Sequence, residues 1–173
     1  MSIIPERLAA FRVYLDGSED IAVADIELPV IEFMTDTVSG AGIAGEYESA
    51  TIGHTKPMKT TLAFNTPSRI FFALLKPKSQ RLTCHGAIQL YDTAKGEYKI
   101  GELRVVMQTH ALSGNIGKFE TGKATDSSVE RGVTYLKIEI DKKKVLEIDQ
   151  TNYKFIDEDG VDYHASIRDA LGL

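Results

Sequence analysis

The 173-residue chain contains a single cysteine and no tryptophan. Cys84 on its own rules out an internal disulfide and fits a reducing compartment. No apolar run approaches the roughly 18–20 residues that a helix needs to cross a bilayer. The first residues, Met1 to Phe11, lack the apolar segment of a secretory signal peptide. We therefore expect synthesis and residence in the cytoplasm, without membrane anchoring.

Positive charge is also scarce, because 20 Lys and Arg stand against 25 Asp and Glu, for a formal net charge of −5. Sequence-independent nucleic-acid binding needs several cations on one surface. The basic run Lys142–Lys144 is short and lies between two predicted strands, which favours a solvated hairpin turn. We expect no specific nucleic-acid binding, although an acidic balance would also suit a conduit through which DNA must slide.

The residues that could bind a metal ion do not occur at the spacings that are typical of metal sites. The stretch Asp157–Asp162 is acidic, but it lacks the sixth-position Gly and twelfth-position Glu of an EF-hand, and a strand-to-helix turn explains it. No HxH or HExxH pattern joins the four histidines, which are His54, His85, His110 and His164. We predict no metal.

A glycine-rich segment, Gly40–Gly45, matches the pattern G-x-G-x-x-G. In a dinucleotide fold these glycines open a helix, and an acidic residue ends a strand about 20 residues later. Neither an amphipathic helix nor such an acidic residue follows here, so we interpret the segment as a mobile loop. With no nucleophile elbow either, the sequence predicts no cofactor and no enzymatic activity.

Most of the chain alternates apolar and polar residues with the period of two that is typical of strands. Leu136, Ile138 and Ile140, for example, alternate with charged residues. Another strand changes phase, because the apolar positions Tyr98 and Ile100 are followed by apolar residues of the other parity from Leu103 onward. A one-residue phase change beside Gly101 predicts a β-bulge there.

Two short helices and two long loops interrupt the predicted strands. The first helix follows the cap segment Thr66–Ser68, and the second starts near its cap Asp162 and ends at Gly172. Residues 35–57 look irregular, and residues 112–131 are rich in Gly, Ser, Thr and Lys, which indicates long loops.

The length suits one domain, residues 1–173, with a self-sufficient core. The predicted fold class is mainly β: an antiparallel β-sandwich or rolled β-barrel with two short flanking α-helices and long loops.

Several segments occur together in a characteristic order and spacing over almost the whole chain. They are Pro5–Leu8, Tyr14–Gly17, the break at Leu28-Pro29, Gly40–Gly45, Val105–Met107, Gly122-Lys123, Tyr135–Ile138, Glu147–Asp149 with Asn152, and Arg168 with Leu171–Leu173. In this arrangement the chain closely resembles the major tail tube proteins of contractile-tailed phages and phage-tail-like bacteriocins.

The resemblance implies a small β-sandwich or barrel whose six copies close a ring, with the sheets joined into a continuous inner β-barrel. The rings stack into a hollow tube inside a contractile sheath, and sheath contraction drives the tube through the target envelope. The implied partners are further copies of the chain, the tail sheath protein, and tube initiator, baseplate and terminator proteins. DNA would pass through the lumen only in a phage. The particle, a virion tail or a bacteriocin, would be assembled in the bacterial cytoplasm.

Two sets of residues follow from this resemblance as expected sites. Contacts between subunits and rings are predicted at Ile3, Ile4, Pro5, Leu8, Gly40, Gly42, Ile43, Gly45, Tyr47, His54, Leu171 and Leu173. The residues predicted to face the lumen are Glu97, Glu102, Glu139 and Asp141.

Three other interpretations compete with the tube subunit. The first is a small-ligand-binding β-barrel protein, which would need a roomy apolar interior. The second is an enzyme with a cofactor at Gly40–Gly45, and the third is another structural subunit of the same particle, such as a cap or an initiator.

Overall fold

A computed structural model describes residues 3–17 and 19–173 of the chain. Within these residues the chain forms eleven strands and two short helices. The strands are β1 (Ile3–Leu15), β2 (Glu19–Ile21), β3 (Asp25–Glu27), β4 (Phe33–Val38), β5 (Tyr47–Thr55), β6 (Met58–Phe64), β7 (Gln80–Asp92), β8 (Glu97–Asn115), β9 (Ser127–Ile140), β10 (Lys143–Asp149) and β11 (Lys154–Ile156); the helices are α1 (Arg69–Leu74) and α2 (Ala165–Leu171).

One large antiparallel sheet contains nine of these strands, and seven of them follow the order β11-β10-β9-β8-β7-β1-β2. Strand β9 changes its partner halfway along: its first half pairs with β6, its second half pairs with β10, and β8 accompanies both halves. Irregularities in the β8–β9 ladder between Gln108 and Thr109, and between Ala111 and Ser113, accompany this change. Bulges of this kind bend a sheet.

The resulting fold is mainly β and sandwich-like, as the sequence predicts, with two short helices. Both parts of the bent sheet contribute to the core, with Leu62 from β6 and Leu136 from β9 fully buried, and Phe71 and Leu74 of α1 join them. The described sheet does not close into a barrel. The rolled-barrel alternative, and with it a ligand-binding barrel interior, is therefore not found.

A buried arginine ties α1 to the sheet. Arg131 on β9 is fully buried, and its Nε donates a hydrogen bond to Thr109 Oγ1 at 2.8 Å. Its Nη2 donates to the carbonyl oxygen of Thr109 at 3.2 Å, and its Nη1 donates to the carbonyl oxygen of Leu74 at the end of α1. Burial lowers the pKa of Arg131 to about 10. The cation thus satisfies backbone groups that the core would otherwise leave unpaired.

The predicted bulge beside Gly101 is wrong. Strands β7 and β8 pair without interruption through that position, from Gln80 to Asp92. Tyr98 and Ile100 lie on the opposite face of β8 from Leu103, and both are exposed. The change in apolar phase therefore marks apolar residues on an uncovered face rather than a bend.

The two long loops are also predicted incorrectly in extent. Residues 35–57 largely form β4 and β5, and residues 112–131 contain the end of β8 and the start of β9. Only residues 116–126 are irregular in the second segment. Helix α2 begins two residues later than predicted, with His164 rather than Asp162 at the N-cap, although Asp162 Oδ1 accepts a hydrogen bond from the His164 backbone N–H at 3.0 Å.

Candidate assembly surfaces

Strands β4 and β5 form a two-stranded sheet that is separate from the main sheet. We call residues 33–55 the arm. Its tip, residues 39–46, is exposed throughout and places Gly40, Gly42 and Gly45 at positive φ, where glycine is favoured. Large apolar side chains along the arm, among them Tyr47, are exposed. Because an isolated hairpin is marginally stable in water, such an arm is suited to ordering against another surface.

The base of the arm rests on the C-terminal segment. His164 is buried, its ring packs against His54 with centroids 5.2 Å apart, and its Nε2 lies 3.2 Å from the carbonyl oxygen of Ile52. Gly53 lies directly under the same ring, since a Cβ at this position would be 2.3 Å from His164 Nε2. Gln150 adds a hydrogen bond from Nε2 to Thr55 Oγ1 at 2.9 Å. The arm therefore has a fixed base and a free tip.

The two edges of the seven-stranded sheet are each open over part of their length. Strand β2 covers β1 only at residues 13–15, and β11 covers β10 only at residues 147–149. On the side facing away from the sheet, no other described strand lies along residues 3–12 of β1 or residues 143–146 of β10. Phe11 and Lys143 stand in one row across the sheet, linked partner by partner through Gly86, Leu103 and Ile140. Each edge thus exposes unpaired backbone groups toward the same end of the sheet.

One face of this sheet is charged while the other lies on the core. Side chains of paired residues share a face, so the register identifies its members. We call this surface the polar face. Apolar or aromatic side chains of β8 also lie on it, at Tyr98, Ile100 and Val106. Its other members include Arg12, Tyr14, Arg81, Thr83, His85, Glu102, Arg104, Gln108, Tyr135, Lys137, Glu139, Glu147 and Asp149. A depression of about 760 Å³ on it is lined by Arg81, Arg104, Lys137 and Asp149, among others.

Two glutamates on the polar face, Glu139 and Glu147, are paired with cations. Glu139 Oε2 lies 3.1 Å from Arg104 Nη1, and its Oε1 lies 2.8 Å from Lys137 Nζ. Glu147 Oε2 lies 2.7 Å from Lys144 Nζ, and Tyr135 Oη donates to Glu147 Oε1 at 3.1 Å. Hydrogen bonds from these cations lower the pKa of both glutamates, that of Glu139 chiefly through Lys137 and that of Glu147 chiefly through Lys144. Burial raises the pKa of Tyr135 to about 12, with Glu147 adding to the effect.

The residues predicted to face the lumen do not all share a surface. Glu102 and Glu139 lie on the polar face, and Asp141 lies in the turn beside them, where its Oδ1 accepts a hydrogen bond from the Glu102 backbone N–H at 2.9 Å. Glu97 lies on the opposite face of β8, in register with Asp92 of β7.

The residues predicted to contact other subunits fall into three places. Ile3, Ile4, Pro5 and Leu8 lie on the open edge of β1, and each is exposed. Gly40, Gly42, Ile43, Gly45 and Tyr47 lie at or next to the tip of the arm, and Leu171 and Leu173 are exposed at the C-terminus. His54 instead contacts His164 within the chain at the base of the arm.

Sequence reasoning missed two features that the fold brings out. Arg104 lies beside Glu139 on the polar face, although the alternation of β8 could have indicated it as an outward-facing partner. Phe119, in the loop of residues 116–126, is 97% exposed. The loop is held by a hydrogen bond from Lys118 N to the carbonyl oxygen of Thr125 at 3.0 Å. Nothing in the local sequence distinguishes this phenylalanine from a core residue.

A family model for phage tail tube protein FII matches residues 5–172, which is nearly the whole chain. The chain belongs to this family of phage tail tube proteins. The prediction made from the resemblance is thereby confirmed: this is a structural tail tube protein by family. No curated protein sequence is significantly similar to it. Among the residues that the structure describes, no helix has the length and apolar composition needed to span a bilayer.

Solved structures similar to this tail tube protein come from contractile injection systems. The sheath/tube terminator of the PVC extracellular contractile injection system in its extended state has a TM-score of 0.56 and 14% identity, covering 79% of this chain and 97% of that one. The tube-terminating cap of the anti-feeding prophage has a TM-score of 0.52 and 13% identity, covering 75% and 87%. A chain of the PVC sheath–tube complex in its extended state has a TM-score of 0.50 and 14% identity, again covering 75% and 87%. At these identities the likeness concerns the fold.

Proposed function

We propose that copies of this chain join edge to edge into hexameric rings and that the rings stack into the inner tube of a contractile tail. The observation that carries the proposal is the pair of open edges on the seven-stranded sheet. A ring needs a heterologous contact in which one edge of a subunit meets the other edge of the next. Six copies per ring is the number implied by the tail tube resemblance.

The direction in which the two edges open supports a closed ring. The open residues are level only at Phe11 and Arg12 of β1 and Lys143 and Lys144 of β10, so a neighbour continues the sheet with a stagger, as the strands of a barrel do. The three-residue strands β2 and β11 cover the other end of each edge. They limit pairing between subunits to the open residues of β1 and β10. Joining the edges removes the unpaired backbone groups that each single chain exposes.

The polar face then lines the lumen. Its opposite face carries core residues such as Val13 and Val105, so it must point away from the aqueous channel. Glu102, Glu139 and the adjacent Asp141 are the predicted lumen residues that fit this orientation. Glu97, on the other face, does not.

The arm and the two termini contact other subunits. The arm tip around Gly40–Gly45 reaches a neighbour in the ring or in the next ring, and its apolar side chains become buried there. Exposed apolar residues at Ile3–Leu8 and at Leu171 and Leu173 serve the same purpose. His54 acts indirectly, because it holds the base of the arm through His164.

The chain works as one tube domain, residues 1–173, with a structural rather than a catalytic role. Its partners are further copies of itself, the sheath around the tube, and initiator, baseplate and terminator proteins at the tube ends. The particle is assembled in the bacterial cytoplasm, and DNA passes through the lumen where the particle is a phage.

Negative-stain electron microscopy over a range of protein and salt concentrations tests this proposal. We expect rings or hollow rods of uniform width, with six-fold symmetry in end views. Rods with a different symmetry would contradict the hexamer. A chain that stays monomeric at every concentration, and also when it is co-expressed with the other tail proteins, would contradict the tube itself.

A further inference from the structure

Glu139 stands between two cations at the centre of the polar face. Its two carboxylate oxygens each hold a different partner, with Arg104 Nη1 at 3.1 Å on β8 and Lys137 Nζ at 2.8 Å on β9. The Glu139 side chain is 17% exposed, whereas the Arg104 side chain is 42% exposed. The cations therefore depend on one nearly buried carboxylate for their compensation.

Arg104 is only partly covered by its contact with Glu139. Its Nη1 is held by Glu139 and its side chain is 42% exposed, whereas its Nε is buried without a hydrogen-bond partner in the described structure. Arginine presents its donors as a fork that matches phosphate oxygens in pairs. Arg104 also lines the depression on the polar face together with Arg81 and Lys137. Asp16 and Asp149 line it as well, so the loss of Glu139 would leave three cations against two carboxylates, an excess that favours a polyanion.

We propose that Glu139 is a masking residue that keeps the polar face from binding phosphodiester polyanions. The proposal rests on the tube function only in placing this face along the lumen. In a ring of six subunits, a group of uncompensated cations on this face would occur six times. The lumen would then retain a polyanion instead of letting it slide. Glu139 prevents this by occupying the donors of Arg104 and Lys137, so the face carries cations without offering them to phosphate.

The free chain is sufficient for the test, because its polar face is open before assembly. Glu139→Gln preserves the size of the side chain and removes its charge, which should release Arg104 and Lys137. Glu130→Gln is the matched control: it removes the same charge from a pair with Lys59 at 3.1 Å, on the half of β9 that pairs with β6. Both variants have the same net charge, so a difference between them reports position.

Binding of a short double-stranded DNA would be followed by fluorescence anisotropy against salt, below the concentration at which tubes form. We expect wild type and Glu130→Gln to bind weakly and alike. We expect Glu139→Gln to bind at least several-fold more tightly, with a slope of log K against log salt that is steeper by about 1.8, as two released cations would give. Adding Arg104→Gln to Glu139→Gln should reverse much of the gain, which a merely structural disturbance at Glu139 would not show.

Equal binding by Glu139→Gln and Glu130→Gln would overturn the proposal, as would tight binding by the wild type. Tube imaging of the same variants separates this failure from failure of the proposed function. Normal tubes without a gain in DNA binding would reject the masking role alone. A gain in DNA binding without tubes from the wild type would retain the masking and reject the tube.

Discussion

The imidazole ring of His164 lies on the backbone of Gly53, so close that a Cβ on this glycine would be 2.3 Å from His164 Nε2. Gly53 also has a φ of +68°, which glycine adopts without strain. The pair joins the arm to the C-terminal segment that precedes α2. The orientation of the arm therefore depends on a glycine that the sequence pattern does not single out.

Gly53→Ala should detach the base of the arm without unfolding the main sheet. The added methyl must displace the His164 ring, at a cost of about 1–3 kcal/mol that falls on the local contact. Hydrogen exchange should become faster in residues 33–55 and stay unchanged in β7–β9. Gly42→Ala is the control, because Gly42 lies in the same arm at a φ of +94° with nothing within 4 Å of its Cβ position. Equally accelerated exchange in both variants would show that backbone strain alone, and not the His164 contact, matters.

Deletion of Gly40–Gly45 should leave a folded chain that does not form tubes. The tip is exposed throughout, so far-UV circular dichroism and thermal unfolding should match the wild type. Electron microscopy should then show monomers under conditions that give wild-type tubes. Tubes of normal length from the deletion variant would remove the arm tip from the assembly contacts.

Arg131→Met should destabilise the core by about 2–3 kcal/mol, because it leaves the carbonyl oxygens of Leu74 and Thr109 buried without their donor. Urea unfolding followed by circular dichroism measures the change. Arg81→Met, at an exposed position on β7, is the control and should change the free energy of unfolding by less than about 0.5 kcal/mol. Two similar values would mean that Arg131 contributes through its bulk and not through its hydrogen bonds.

Acid should destabilise the protein partly through Glu139. Its folded pKa lies below the ordinary value of 4.5, chiefly because of the hydrogen bond from Lys137. The unfolded chain therefore binds more protons in this range, so stability is fully present above about pH 4.5 and is lost as the pH falls through the folded pKa. The free energy of unfolding of Glu139→Gln should vary less steeply with pH below 4.5 than that of the wild type. An unchanged slope would contradict the strength of this ion pair.

Whether the structure of a segment can be predicted from the sequence depends on whether one of its faces packs against the core. Strands with one face on the core show clear alternation, so the sequence correctly predicts that Leu136 and Ile138 share the core-side face, whereas Ile140 at the end of the same strand is exposed. The arm shows no such alternation because neither face lies on the core, and it was predicted as a loop. Tyr98 and Ile100 cause a different error. They are apolar residues on an uncovered face, and their change of phase relative to Leu103 wrongly predicts a bulge.

The assembly surfaces were only partly accessible to sequence reasoning. The exposed positions of Ile3, Leu8 and Leu173 agree with their predicted availability, while their contacts in a ring stay a prediction. Arg131 reads in the sequence as a surface residue between Glu130 and Gly132, and only the fold shows that it is buried. The register across β8 and β9 was needed to show that Glu97 and Glu139 lie on different faces.

The central claim is that β1 of one subunit meets β10 of the next, and paired cysteines test it most directly. Ala10→Cys and Lys144→Cys place thiols on the two open edges and on the same face of the sheet. The native Cys84 should not interfere, because burial raises its pKa to about 12 and leaves it unreactive at neutral pH. A short bismaleimide should convert assembled double-cysteine protein into a ladder of bands that ends at the hexamer, while each single-cysteine variant stays monomeric. Tubes that form normally but give no ladder, or dimers from a single-cysteine variant, would contradict the account.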